Sequence, residues 1–286
     1  MRIALEPFLP DVRQDRFSNR PAYYAASMPL IAVNGRELHY AEQGEGPLAV
    51  LIHGYPLDHT LWLDQLAGLS DIRRVVALDL PGYGLSERVT GRPLTMEALA
   101  DDVAGLIEAL EYEQADIVGM SMGGYVALAL WEMYPEAIRS LVLANTRSGA
   151  DAEEGKAGRE AQAQAVVADG RQELAGKLAG ALLAPSHELV AAARLRTMVE
   201  ATPVETIVAT LRGMAARPDR TGMLATITAP TLVISGEEDG LIPPLDSHEM
   251  STAIPGSEFL VIPGAGHLSP IERPDAFTEA VRRFWE

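Results

Sequence analysis

Short runs of uninterrupted apolar residues punctuate the chain at residues 48–52, 75–78, 117–118, 141–143, 232–234 and 259–262. None alternates apolar with polar positions, so each predicts a strand buried on both faces, as in a parallel sheet covered by helices. Between the runs the period lengthens. From Thr95 onward, Leu99, Val103, Leu106 and Leu110 fall on one helical face, and Glu97, Asp101, Asp102 and Glu108 are expected in solvent. Ahead of the first run, residues 31–33 and 37–40 flank Asn34-Gly35, a pair suited to positive φ that predicts a hairpin.

From Arg147 to Thr226 the strand pattern stops and only helical signals remain. Leu174, Leu178 and Leu182 recur every fourth residue, Pro185-Ser186 breaks the chain, and Thr202-Pro203-Val204-Glu205 reads as a capping box with proline at the first helical position. The fold class is therefore α/β: a mostly parallel, doubly wound sheet with an inserted helical lid. Residues 1–29 are read as an N-terminal arm on the surface, 30–146 and 227–286 as two parts of one core, and 147–226 as the lid. A chain of 286 residues can bury one such core.

The candidate chemistry sits where apolar runs end. Gly119-Met120-Ser121-Met122-Gly123 follows one of them and opens a helical pattern, so Ser121 occupies a sharp strand-to-helix turn that exposes a hydroxyl. A serine needs a base, and the base needs a carboxylate to hold its tautomer. His267, in Gly264-Ala265-Gly266-His267 after the last apolar run, is the candidate base. Asp239, in Gly236-Glu237-Glu238-Asp239-Gly240, is the candidate acid, preferred over Glu237 and Glu238 because the following Gly240 and Ile242-Pro243-Pro244 fix a rigid loop. The order Ser, Asp, His along the chain is the one that this turn uses. After residues 48–52 comes His53-Gly54-Tyr55-Pro56, whose Tyr55 N–H, together with the Met122 N–H, is expected to form an oxyanion hole; His53 itself is read as a prop for the loop. His53, Asp58 and His59 lie near one another in sequence without a metal-site spacing, and neither a metal nor a cofactor is expected.

These motifs together resemble the α/β-hydrolase superfamily. The matching pieces are His53-Gly54-Tyr55-Pro56, Asp79-Leu80-Pro81-Gly82-Tyr83-Gly84-Leu85-Ser86, the turn at Ser121, Gly236 to Asp239, and Gly264-Ala265-Gly266-His267. Within it, Gly-Met-Ser-Met-Gly-Gly and Leu141-Val142-Leu143-Ala144-Asn145-Thr146 are similar to bacterial carboxylesterases and 3-oxoadipate enol-lactonase-like hydrolases with a helical lid. The resemblance implies cleavage of small to medium esters or lactones through an acyl-enzyme. Acyl transfer to peroxide, as in cofactor-free perhydrolases, and a non-catalytic ligand-binding module are the alternatives. Epoxide hydrolases and haloalkane dehalogenases are disfavoured, because they place aspartate where this chain has Ser121; epoxide hydrolases also use lid tyrosines, and residues 147–226 contain no Tyr, Trp or Phe.

Charge sharpens the list of partners. A net charge of −17 argues against nucleic acid and anionic membranes, and no apolar run is long enough for a membrane span. Cysteine is absent, so disulfides and a thiol nucleophile are excluded; a cytoplasmic location is the default expectation, and homo-oligomerisation is left open. Acids and bases balance at ten each in residues 147–226, which leaves the core strongly acidic and favours a small neutral ester over an anionic one. Met198, Met214 and Met223 are expected to pack against the core. If an anionic substrate were preferred, Arg194 or Arg196 would be expected to hold it.

Overall fold

The computed structural model describes residues 29–89, 93–186 and 189–286. The expected N-terminal arm therefore lies outside the described residues except for Pro29. Eight strands form one sheet: β1 (Leu30–Val33), β2 (Arg36–Gln43), β3 (Leu48–Ile52), β4 (Arg74–Leu78), β5 (Ala115–Met120), β6 (Ile138–Ala144), β7 (Thr231–Gly236) and β8 (Glu258–Ile262). Their order is β1-β2-β4-β3-β5-β6-β7-β8, with β2 antiparallel to both β1 and β4 and every other neighbouring pair parallel. β3 and β5 are buried along their whole length, which is why their sequences carry no alternation. The β1–β2 turn has Asn34 at φ 51° and Gly35 at φ 80°, as the Asn-Gly pair predicts.

The helices are α1 (Leu63–Leu69), α2 (Met96–Ala109), α3 (Met122–Met133), α4 (Glu153–Asp169), α5 (Arg171–Leu182), α6 (Leu189–Ala201), α7 (Val204–Ala216), α8 (Pro244–Ala253), α9 (Ser269–Glu272) and α10 (Pro274–Trp285). α2 packs on α3, and α1 packs on α10, so helices flank the sheet. No strand interrupts α4 to α7 among the described residues. Among the described residues, no helix is long and apolar enough to cross a membrane. The chain winds from β3 out to β4 and returns to place β5 on the other side of β3. This reversal opens a crevice at the carboxyl ends of β3 and β5, the place where open α/β sheets bind ligands.

Three expectations need correction. The run at 259–262 is not buried on both faces: it forms the edge strand β8, flanked by β7 alone, so Leu260 is exposed and Phe259 and Val261 are half-buried. Asp102 is buried rather than solvated, because the β1–β2 hairpin folds over α2 and Asp102 accepts from Arg36 Nη1 at 3.1 Å and Asn34 Nδ2 at 3.3 Å. Desolvation raises its pKa in spite of Arg36. Thr202 does not cap α7 either. Its hydroxyl donates to Met198 O at 2.9 Å and Pro56 O at 3.1 Å, which ties α6 to the loop after β3 and leaves Pro203 as the N-cap.

Asp79, at the end of β4, joins the hairpin to the loops around the crevice. Its Oδ2 receives His39 Nδ1 at 2.6 Å and Leu85 N at 3.0 Å, while Oδ1 receives His59 Nδ1 at 2.9 Å and His59 N at 2.8 Å. Gly84, at φ 49°, passes so close that a Cβ there would run into this carboxylate. Burial works against ionisation of Asp79, but hydrogen bonds from His39 and His59 hold its pKa far below the usual carboxylate range. Burial likewise pulls His59 down, yet the hydrogen bond and charge of Asp79 outweigh it and raise its pKa.

Asp79→Asn should therefore cost about 3 kcal/mol of stability, since it leaves buried imidazoles facing a neutral amide. The stabilisation from His59 is complete below its unfolded pKa of about 6.5 and is lost as pH rises through the raised folded value. Denaturant titrations at a series of pH values should show wild-type stability declining on the alkaline side of neutrality, and a flatter profile in Asp79→Asn.

Candidate active site

Ser121 follows β5 and precedes α3 with φ 54° and ψ −114°, a conformation that non-glycine residues adopt only under constraint. The constraint is visible. Ser121 N donates to Ala144 O at 2.9 Å, and Ser121 O accepts from Thr146 Oγ1 at 2.7 Å and Gly124 N at 2.9 Å. Helix and strands approach closely here: a Cβ on Gly123 would strike the Ile52 carbonyl, and one on Gly119 would strike the Gly123 carbonyl. The turn thus carries the steric reason for its glycines.

Three of the residues picked out in the sequence meet in one chain of hydrogen bonds. His267 Nε2 lies 2.8 Å from Ser121 Oγ, and His267 Nδ1 lies 2.8 Å from Asp239 Oδ2. His267 and Asp239 are both buried. Asp239 Oδ1 accepts from Leu241 N and Ile242 N at 2.9 Å each, and Oδ2 also accepts from Asn145 Nδ2 at 2.9 Å. Burial raises the Asp239 pKa, but His267 and these donors more than offset it and hold the carboxyl below its usual value. Glu237 and Glu238 point elsewhere: both are exposed, and Glu237 Oε2 accepts from Gly264 N at 2.9 Å.

The loop after β3 lies alongside. A Cβ at Gly54 would come within 3.3 Å of Ser121 Cβ, which places the adjoining Tyr55 next to the turn. Met122 is the first residue of α3, so its N–H has no acceptor within the helix, and Tyr55 N–H meets no backbone acceptor among the described residues. His53 is wholly buried; its Nε2 accepts from Leu80 N at 3.1 Å, so Nδ1 carries the proton and donates to Gly54 O at 2.9 Å. This is the prop expected of it. Burial lowers its pKa.

Sequence reasoning missed Asn145 and Glu272. Asn145, at φ 48°, donates to Asp239 and accepts from Ser269 Oγ, so it links the ends of β6 and β7 to the His267 loop. An asparagine closing a strand, where positive φ is tolerated, was the available signal. Buried Glu272 accepts from Leu268 N at 3.0 Å and Ala184 N at 2.7 Å, while His267 N donates to Leu182 O at 2.8 Å. The arginines considered from sequence for an anion have other partners. Arg194 donates to Asp64 Oδ2 at 2.6 Å and Thr60 O at 2.8 Å, and Arg196 pairs with Glu200 at 3.5 Å. Met198 and Met214 are buried in the core. His39, His59 and Asp79 are the described side chains that together could hold a cation, their ligand atoms lying within 4.8 Å of one another. They form the hydrogen-bonded group around Asp79, not the His53, Asp58 and His59 set considered from sequence.

Comparison with known proteins then gives the family. Residues 47–274 match the α/β hydrolase fold family. The chain belongs to it. A thermophilic esterase from Thermogutta terrifontis superposes with a TM-score of 0.87 at 37% identity, covering 91% of this chain and 98% of that one. The enol-lactonase from Burkholderia xenovorans LB400 gives 0.83 at 33% identity, with coverages of 90% and 99%. In sequence, 3-oxoadipate enol-lactonase 1 of Acinetobacter baylyi is 30% identical over 258 residues, 89% of this chain and 91% of the relative. Membership of this α/β-hydrolase family supports hydrolase activity for the chain.

Asn145→Ala should cost about 2–3 kcal/mol, because it leaves two buried polar partners short of a hydrogen bond and puts alanine at positive φ. Denaturant unfolding of the purified variant at neutral pH checks this.

Proposed function

We propose that this hydrolase cleaves small to medium carboxylic esters or lactones through an acyl-enzyme on Ser121. The observation that carries the reading is the unbroken path from Ser121 Oγ through both ring nitrogens of His267 to Asp239, with 2.8 Å at each step. Ser121 Oγ attacks the substrate carbonyl while His267 Nε2 takes its proton. The developing oxyanion is received by the N–H groups of Tyr55 and Met122. His267 then protonates the departing alkoxide, and a water attacking the acyl-enzyme runs the same steps to release the acid. Asp239 keeps the proton on Nδ1, so that Nε2 faces the serine as a base, and stabilises the imidazolium.

The 147–226 segment is proposed as the lid over Ser121. It carries no aromatic residue, so it offers aliphatic contact area to the acyl group rather than stacking. Tyr83 Oη donates to Thr210 Oγ1 of α7 at 2.7 Å, and Thr206 Oγ1 donates to Gly82 O at 3.1 Å, contacts that would seat such a lid on the core.

Ser121→Ala should fold normally and lower kcat for 4-nitrophenyl butyrate by about 10⁵-fold or more. A fluorophosphonate should label wild-type Ser121 alone, read by peptide mass spectrometry; labelling elsewhere defeats the assignment. Asp239→Asn should lower kcat by about 10⁴-fold through the wrong imidazole tautomer. Glu238→Gln is the control, and equal losses in the two variants would count against Asp239 as the orienting acid.

A further inference from the structure

The ring of His267 is aimed by Asp239, but the place from which it swings is set by the backbone on either side of it. That backbone is fastened along residues 264–268. Glu238 N donates to Ala265 O at 2.8 Å, Asn145 Nδ2 donates to Gly266 O at 3.3 Å, and His267 N donates to Leu182 O at 2.8 Å. Gly266 runs so close to the chain after α5 that a Cβ there would strike Ala184 N and come within 3.0 Å of Glu272 Oε1.

Buried Glu272 gathers the amides that remain. Its Oε1 accepts from Leu268 N at 3.0 Å, and its Oε2 accepts from Ala184 N at 2.7 Å, a partner 88 residues away. Capping the short helix α9 would need the Leu268 amide alone. The bond to Ala184 does more, since it joins the loop that carries His267 to the end of α5. The neighbouring Arg273 guanidinium donates instead to Glu272 O at 2.9 Å and lies beside Gly264. Burial therefore pushes the Glu272 pKa up, and the amides of Ala184, Gly266 and Leu268 together with the charge of Arg273 offset it only in part. A neutral side chain would avoid the cost of burying a charge, but it could not accept from several amides at once: glutamine would turn a donor toward one of them.

We propose that Glu272 is a positioning residue for the base of the acyl-enzyme cycle: it fixes the backbone around His267 and ties it to the end of α5, so that Nε2 stands 2.8 Å from Ser121 Oγ. This deepens the serine-hydrolase reading and rests on it. With the backbone held, the ring keeps only its own side-chain torsions, and the bond to Asp239 is enough to aim it. Without Glu272 the loop shifts and carries the ring with it. A displacement on the order of 1 Å at the reacting atoms costs about 10²-fold in rate. Both carboxylate oxygens are taken up by amides, so the loss falls on kcat and not on KM.

The test is Glu272→Gln in the full-length protein, assayed with 4-nitrophenyl butyrate and with a fluorophosphonate. kcat should fall by about 10- to 100-fold while KM stays within about threefold of wild type. The fluorophosphonate separates placement from damage. A displaced base slows labelling at every Ser121 by about the factor lost in kcat and leaves the final extent complete, whereas a fold that is merely weakened lowers the extent and leaves the rate per labelled site unchanged. Slow and complete labelling upholds the proposal, and a rate per site equal to that of wild type overturns it. Should Glu272→Gln not fold, Glu272→Asp, which keeps the charge and withdraws it by one methylene, is judged by the same two quantities. If wild type neither hydrolyses the ester nor is labelled at Ser121, the acyl-enzyme reading falls by itself. Hydrogen exchange of the 264–268 amides then decides the role of Glu272: faster exchange in the variant upholds the anchoring, and unchanged exchange overturns it.

Discussion

The backbone at Ser121 is the constraint on which the rest depends. A residue held at φ 54° between a buried strand and a helix persists only if its neighbours leave it no other conformation. Here the neighbours come from every side: β6 through Ala144 O and Thr146, β3 through the Ile52 carbonyl beside Gly123, and α3 through Gly124. The parallel sheet makes this economical in chain length. Adjacent strands end at the same level, so the ends of β3, β5, β6 and β7 deliver Tyr55, Ser121, Asn145 and Asp239 to one crevice without long excursions.

Buried carboxylates do the tying, and each is handled differently. Asp79 is surrounded by imidazoles and amides, Asp151 by guanidinium groups, and Asp239 by one imidazole, two backbone amides and an asparagine. All three are held ionised against burial. The donors set their uses. Rigid amides fix Asp239 so that a single oxygen remains to orient His267, whereas the guanidinium groups around Asp151 tie α4 to the chain that follows α7.

The fold was legible because its inner strands are buried on both faces and its turns demand particular residues. Asn34-Gly35 and the glycines around Ser121 each have one economical reading, and the structure agrees with it; the described residues between 147 and 226 carry helices, as their pattern predicts. Asp102 misled because helical periodicity assigns a face but cannot reveal that a distant hairpin will fold over it. Thr202 misled because a capping box is a local pattern, and its hydroxyl found acceptors in Pro56 and Met198 instead. Ser121, His267 and Asp239 could be picked out from where each sits at a strand's end. Asn145, Glu272 and the surroundings of Asp151 could not, since their partners lie on elements whose packing only the folded chain defines.

The hydrogen bond from His267 N to Leu182 O, with Glu272 bridging Leu268 and Ala184, has an evolutionary corollary. The loop that carries the imidazole is moulded against the end of α5, so its shape belongs to two segments far apart in sequence. Grafting a foreign sequence between β6 and β7 would therefore move the histidine as well as reshape the space above the serine. Diversification of this scaffold has to respect that junction: the last turn of α5 and the stretch following it must change in concert with residues 264–272.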